Sequence, residues 1–135
     1  MRTKRHVLVV DDDEAIRHGT GLRIAFNGYE VSTAKNGLEA FDMAVERMPD
    51  AILMDVRMPV MDGLAALAKL KADPRTTAIP VVIASASLGD KNTSLESGAR
   101  FFLTKPYTND VMLSAISASM ALQLSDSIKL KAIEA

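Results

Sequence analysis

Short apolar runs, each stopped by a polar residue, alternate along this chain with longer stretches in which apolar residues recur at helical spacing. Val7-Leu-Val-Val10 is the first run, mostly β-branched and ended by acids. Runs of this kind suit a strand buried on both faces, as in a parallel sheet. Residues 13–26 then show helical spacing, with Ile16, Leu22 and Phe26 as the larger apolar positions. Gly19 and Gly21 each weaken that helix by up to ~1 kcal/mol relative to Ala. Asn27-Gly28 marks a turn, Tyr29 to Ala34 a second strand, Asn36-Gly37 another turn, and Leu38 to Arg47 a helix carrying Phe41, Ala44 and Val45.

The cycle repeats. Ala51-Ile-Leu-Met54 is a third buried strand running straight into Asp55, and Gly63 to Lys71 a helix with Leu64, Leu67 and Leu70. Asp73-Pro74 closes that helix, and Ile79 to Ala84 is the fourth strand. The polar stretch from Leu88 to Ser97 holds a short helix stopped at Gly98; Phe101 to Thr104 is the fifth strand, and a helix of Ala, Ser, Met and Leu starts at Asn109. Strands alternating with helices through short connections predict an α/β fold, a doubly wound parallel sheet of five strands with helices on both faces.

Composition narrows the class. The 135 residues fit one domain with a substantial core, and 48% hydrophobic with 24% charged residues is globular rather than disordered composition. A net charge of −1 with scattered Lys and Arg marks no electrostatic surface for nucleic acid. With no cysteine, disulfides and thiolate zinc sites are excluded, and a reducing cytoplasm is compatible. The basic start, Met1-Arg-Thr-Lys-Arg-His6, leads into an apolar run too short for a signal peptide or membrane span, so a soluble cytoplasmic protein is expected.

In an open α/β sheet, ligands collect beyond the carboxyl ends of the strands, near the point where strand order reverses. Here the first strand ends in Asp11-Asp12-Asp13, the third in Asp55, the fourth in Ser85 and the fifth in Lys105-Pro106. Clustered carboxylates repel, so either a pKa rises or a cation neutralises them. An incomplete cage of oxygen ligands suits Mg²⁺, which keeps several waters and takes substrate oxygens. With Lys105 opposite and Ser85 adding a hydrogen bond, such a site would hold the equatorial oxygens of a phosphoryl group in flight. A carboxylate at its centre can then act as nucleophile and form an acyl phosphate.

This set resembles the response-regulator receiver family over roughly residues 5–122. The resemblance lies in Val-Leu-Val-Val-Asp11-Asp12-Asp13, Asp55-Val-Arg-Met-Pro59-Val-Met-Asp-Gly63, Ile-Pro80 through Ser85-Ala86, and Lys105-Pro106-Tyr107. Each piece alone is modest; in this order and on these strand ends the set is highly specific. The resemblance implies a flavodoxin-like sheet of strand order 2-1-3-4-5. It implies Asp55 as phosphoacceptor, Asp12 as a direct Mg²⁺ ligand, Asp11 acting through water, and the Arg57 backbone carbonyl as a further ligand. Ser85 would sense the phosphate, Lys105 would pair with a phosphate oxygen, and Phe102 would be an aromatic switch. Arg57 and Ser87 fall at positions that tune phosphate lifetime. The family's function is to take a phosphoryl group from a histidine kinase or phosphotransfer protein and to change its binding of a downstream protein. A receiver catalyses its own phosphorylation and dephosphorylation and turns over no external substrate, so it is a signalling domain rather than an enzyme. With no DNA-binding domain and no span, no direct nucleic-acid or membrane partner is expected.

One departure stands out: the segment between Ser85 and Lys105 is about two residues shorter than usual in the family. The fourth helix, part of the usual output face, is therefore expected to be short or irregular. That leaves as the alternative a receiver-like interaction module that no longer cycles phosphate. A hydrolase with an Asp nucleophile ranks last, since no second acid stands two residues past Asp55. Asp13 reads as a helix cap, the two His as surface or helix residues, and Phe102 equally as core. Residues 1–124 are expected to form the receiver and 125–135 a helical extension or tail. Ile116, Met120, Leu124 and Ile128 recur every fourth residue. Leu124, Ile128 and Leu130 make either a frayed tail or an apolar stripe for a second copy, a possible homodimer, or for another partner.

Overall fold

The computed structural model describes residues 4–134, with side chains described for residues 4–121. The elements alternate as β1 (His6–Val10), α1 (Glu14–Phe26), β2 (Glu30–Ala34), α2 (Gly37–Arg47), β3 (Ala51–Asp55), α3 (Gly63–Ala72), β4 (Val81–Ser85), a 3-10 turn (Leu88–Asp90), α4 (Lys91–Glu96), β5 (Phe101–Thr104) and α5 (Asn109–Glu134). All pairings are parallel, in the order β2-β1-β3-β4-β5. Strand order therefore reverses beside β1, and the crevice above β1 and β3 is where an open sheet of this kind collects ligands.

Side-chain alternation along the central strands builds two cores. Leu8, Val10, Ile52, Met54, Val81 and Ile83 face one side, packed with Phe41, Ala44, Leu67 and Leu70 from α2 and α3. Val7, Val9, Ala51, Leu53, Val82 and Ala84 face the other, packed with Ile24 of α1 and Met112, Ala115 and Ile116 of α5. The apolar runs read as strands buried on both faces are buried on both faces.

Helix starts follow local side-chain chemistry. Asp13, Asn36 and Asp62 each occupy an N-cap, and each side chain accepts a hydrogen bond from a backbone N–H three residues on. Asp13 is the cap its position suggested. The fourth helix is short, as the missing residues implied: α4 has six residues after a single 3-10 turn.

Helix α1 and His6 both depart from what residue type alone would suggest, and the surface reading of His6 needs correction. The large apolar residues of α1 do not mark its buried face: Ile16 is 46%, Leu22 58% and Phe26 93% exposed. Thr20, Gly21 and Ile24 are buried instead. At Gly21 an added Cβ would lie 3.4 Å from Val31 and 3.8 Å from Thr33, in ordinary contact with β2. His6 is not a surface residue either. It opens β1, is buried, and its Nε2 lies 2.6 Å from Ser32 Oγ. His18 is exposed on α1. α5 runs through residue 124, the expected end of the receiver, and the side chains of Leu124, Ile128 and Leu130 lie outside the described residues. Among the described residues, no helix is long and apolar enough to cross a membrane.

Candidate active site

The three consecutive acids after β1 take three different environments. Asp11 is buried, and its backbone N–H donates to Ala34 O at 3.2 Å, extending the β1–β2 ladder by one step. Its Oδ1 accepts from the Asp13 N–H at 2.9 Å, and its carbonyl accepts from the Arg17 guanidinium at 2.9 Å. Asp12 is exposed at the rim, and Asp13 caps α1. Sequence reasoning missed Arg17, whose hold on the Asp11 carbonyl ties the acidic turn to the first turn of α1.

Asp55 closes β3 half-buried, and Val10 of β1 pairs with Met54, so the residues following both strands emerge side by side. Oxygens of Asp11, Asp12 and Asp55 lie within 4.8 Å of one another. This is a hard, all-oxygen donor set with one exposed member, and it fits Mg²⁺, which accepts few protein ligands and retains water.

Lys105 follows β5, with its backbone N–H donating to Ser85 O at 2.9 Å and a cis peptide bond to Pro106. Its Nζ lies 3.3 Å from Asp55 Oδ1 and 3.4 Å from Asp11 Oδ2. Burial raises the Asp55 pKa, with Asp11 adding to it, and outweighs the attraction to Lys105. Burial pulls the Lys105 pKa down, but the two carboxylates outweigh it and the net shift is upward. The directions agree: one ammonium shared between two partly buried acids stays charged and leaves Asp55 under-compensated.

Ser85, the last residue of β4, is buried. Its hydroxyl donates to Asp90 Oδ2 at 2.7 Å and accepts from the Ser87 N–H at 3.1 Å. Arg57 sends its guanidinium to the same carboxylate, 3.0 Å from Oδ2. Asp90 was read only as part of a polar stretch, and nothing in the sequence marks it as buried. Ser94 donates to the Asp90 carbonyl at 2.6 Å. Phe102 is half-buried on β5, opposite Ile83, against the core on the α2 and α3 side.

The loop leaving Asp55 is shaped by backbone contact. The Gly63 N–H donates to Val56 O at 2.8 Å, and a Cβ at Gly63 would fall 2.1 Å from the Asp55 carbonyl oxygen. Met61 O accepts from the Gly37 N–H at 2.8 Å, anchoring the loop to α2. Val60 stands between them with φ 68°, a left-handed conformation that a β-branched residue rarely adopts.

Residues 7–117 match the family model described as the response regulator receiver domain. The response regulator PleD of Caulobacter vibrioides is 50% identical over 111 residues, which are 81% of this chain and 24% of PleD. The chain thus spans about a quarter of that relative's length. A CheY-like receiver domain protein from Methanospirillum hungatei superposes with a TM-score of 0.84 at 27% identity, over 92% of this chain and 99% of that one. The receiver domain of the sensor histidine kinase PA1611 from Pseudomonas aeruginosa, solved with a magnesium ion coordinated in its active-site cleft, superposes with a TM-score of 0.81 at 26% identity, over 88% of this chain and 99% of that one. With acids, hydroxyl and ammonium gathered where β1, β3, β4 and β5 end, and with the family match running through almost all of the sheet and its helices, the chain belongs to the response regulator receiver domains of two-component signalling.

Proposed function

We propose that Asp55 is the phosphoacceptor of this receiver, that Mg²⁺ is its cofactor, and that its donor is a histidine kinase or a phosphotransfer protein. The observation that carries this reading is the placement of Asp55 between Lys105 and the acids after β1. Asp12 and Asp55, with the Arg57 carbonyl and with Asp11 through water, would hold the ion. When bound, it neutralises the carboxylates and the incoming phosphoryl oxygens.

The chain's own part is positioning. An Asp55 oxygen attacks phosphorus, an O–P bond forms, and the donor's P–N bond breaks with its electron pair passing to the departing imidazole. Lys105, held by its carboxylate partners, meets the charge on the phosphoryl oxygens. Ser85 donates its proton to one of them. Reversal to the resting state is hydrolysis: water attacks phosphorus, the Asp55 O–P bond breaks, and inorganic phosphate leaves. The phosphorylated form then binds or releases a downstream protein, with Phe102 as the aromatic that changes its packing.

The intact set of acids, Ser and Lys favours a cycling receiver over a constitutive interaction module, for which the shortened segment around α4 is the best support. Incubation with phosphoramidate tests this. A Mg²⁺-dependent, acid-stable and base-labile phosphoryl group is expected on the wild type and none on Asp55→Asn. No uptake by folded wild type that binds Mg²⁺ would establish the non-cycling alternative.

A further inference from the structure

Asp90 lies outside the acid cluster, yet its carboxylate ties together two positions flanking that cluster. It is 8% exposed. It accepts a hydrogen bond from the Ser85 hydroxyl at 2.7 Å and pairs with Arg57 at 3.0 Å, while its own carbonyl accepts from Ser94 of α4 at 2.6 Å. A serine hydroxyl has one proton to give. In this arrangement that proton is committed to Asp90, and a lone pair of the same oxygen is occupied by the Ser87 N–H.

We propose that Asp90 is a positioning residue that latches Ser85 in the resting state and makes release of α4 the consequence of phosphorylation. The inference rests on Asp55 being the phosphoacceptor, since the competing acceptor is a phosphoryl oxygen there. Donation to Asp90 and donation to the phosphoryl group exclude each other. Once Ser85 turns, Asp90 loses the short hydroxyl bond that holds its carboxylate toward β4, and burial without that bond is less favourable. Its remaining side-chain partner is the exposed Arg57 guanidinium, 3.1 Å from Oδ1 and 3.0 Å from Oδ2, and the carboxylate is free to follow it toward solvent. Its backbone is the residue before α4 and is bonded to Ser94, so the swing loosens the first turn of that helix. A helix of six residues has little else to resist with. The short α4 is then suited to transmitting the event rather than a sign of lost output.

The latch stabilises the resting state alone, so removing it favours the phosphorylated arrangement. Apparent affinity rises as the binding-competent fraction rises. Titration of the 135-residue chain with beryllofluoride in saturating Mg²⁺, followed by amide NMR, is the test. Asp90→Ala is expected to bind the mimic at least about five-fold more tightly than wild type, the lower end of ordinary coupling between sites. Its Lys91 to Ser94 amides, without the mimic, are expected to lie displaced toward their mimic-bound positions. Asp90→Asn keeps the shape and one acceptor oxygen but not the charge; it serves if Asp90→Ala does not fold, and should bind the mimic more tightly than wild type. A merely structural role would lower affinity or leave it unchanged, and either result in a folded variant overturns the latch. Wild type that fails to bind beryllofluoride overturns the phosphoacceptor reading itself, which separates the two failures.

Discussion

Lys105 Nζ stands 3.3 Å from Oδ1 of Asp55, and the same nitrogen reaches Oδ2 of Asp11 at 3.4 Å. One cation therefore serves two carboxylates, with Asp12 adding a third acid within 4.8 Å. An arrangement that is short of positive charge at rest is complete only when a cation arrives, and it can then accept the negative oxygens of a phosphoryl group.

Lys105→Ala removes the fixed countercharge but none of the acids. Mg²⁺ binding is expected to persist, while phosphoryl uptake from phosphoramidate slows on the order of 100-fold, the scale of losing one preorganised electrostatic partner. Stopped-time mass measurements read the rate. An unchanged rate would remove Lys105 from the site's chemistry.

Charge crowding also predicts how stability responds to metal and to pH. In metal-free protein the Asp55 pKa is raised by burial. A carboxyl raised on folding contributes fully below its unfolded pKa and loses that contribution as pH rises through the folded value. At neutral pH the ionised Asp55 therefore opposes folding, and Asp55→Asn should melt no lower than wild type in a chelator. Mg²⁺ at ~100 times its Kd should add about 2.7 kcal/mol, on the order of 10 °C in Tm. Asp12→Ala should abolish most of that gain. A Tm indifferent to Mg²⁺ would contradict the metal assignment.

The loop after β3 offers two substitutions of opposite sign. Val60 is 78% exposed and adopts φ 68°, so Val60→Gly relieves a left-handed β-branched residue without removing packing. A gain of about 0.5–1 kcal/mol in urea unfolding is expected. Gly63→Ala drives a Cβ to 2.1 Å from the Asp55 carbonyl oxygen and should cost roughly 3 kcal/mol or more. Equal stability of the two variants would mean the loop does not hold this shape.

Helix α1 separates size from burial. Ile24→Ala should lose about 2–5 kcal/mol, whereas Phe26→Ser and Leu22→Ser should stay within ~0.5 kcal/mol of wild type. Chemical denaturation of the three variants reads this directly. A large loss at Phe26 would show that this exposed ring is covered in solution.

The strands were legible because continuous apolar runs such as Val7 to Val10 and Ala51 to Met54 admit little else, and strand ends named Asp55, Ser85 and Lys105 before any side chain was placed. Helix α1 was harder. A strict apolar stripe is the usual guide to a buried face, but α1 buries Thr20, Gly21 and Ile24, of which only Ile24 is a large apolar residue. Asp90 was illegible for a different reason. Its partners, Ser85 and Arg57, lie on separate strand ends, and a carboxylate in a polar stretch carries no mark of being buried until the turn folds over it. Burial of His6 was likewise hidden, because its hydrogen-bond partner Ser32 comes from the neighbouring strand.

The central claim is that one carboxylate, that of Asp55, carries the phosphoryl group. Borohydride reduces an acyl phosphate to an alcohol, converting a phosphorylated aspartate to homoserine. Protein treated with phosphoramidate and Mg²⁺, reduced and digested, should give homoserine in the peptide containing Asp55 and at no other acid. Conversion at Asp11 or Asp12, or none in protein that takes up phosphate, would contradict the account.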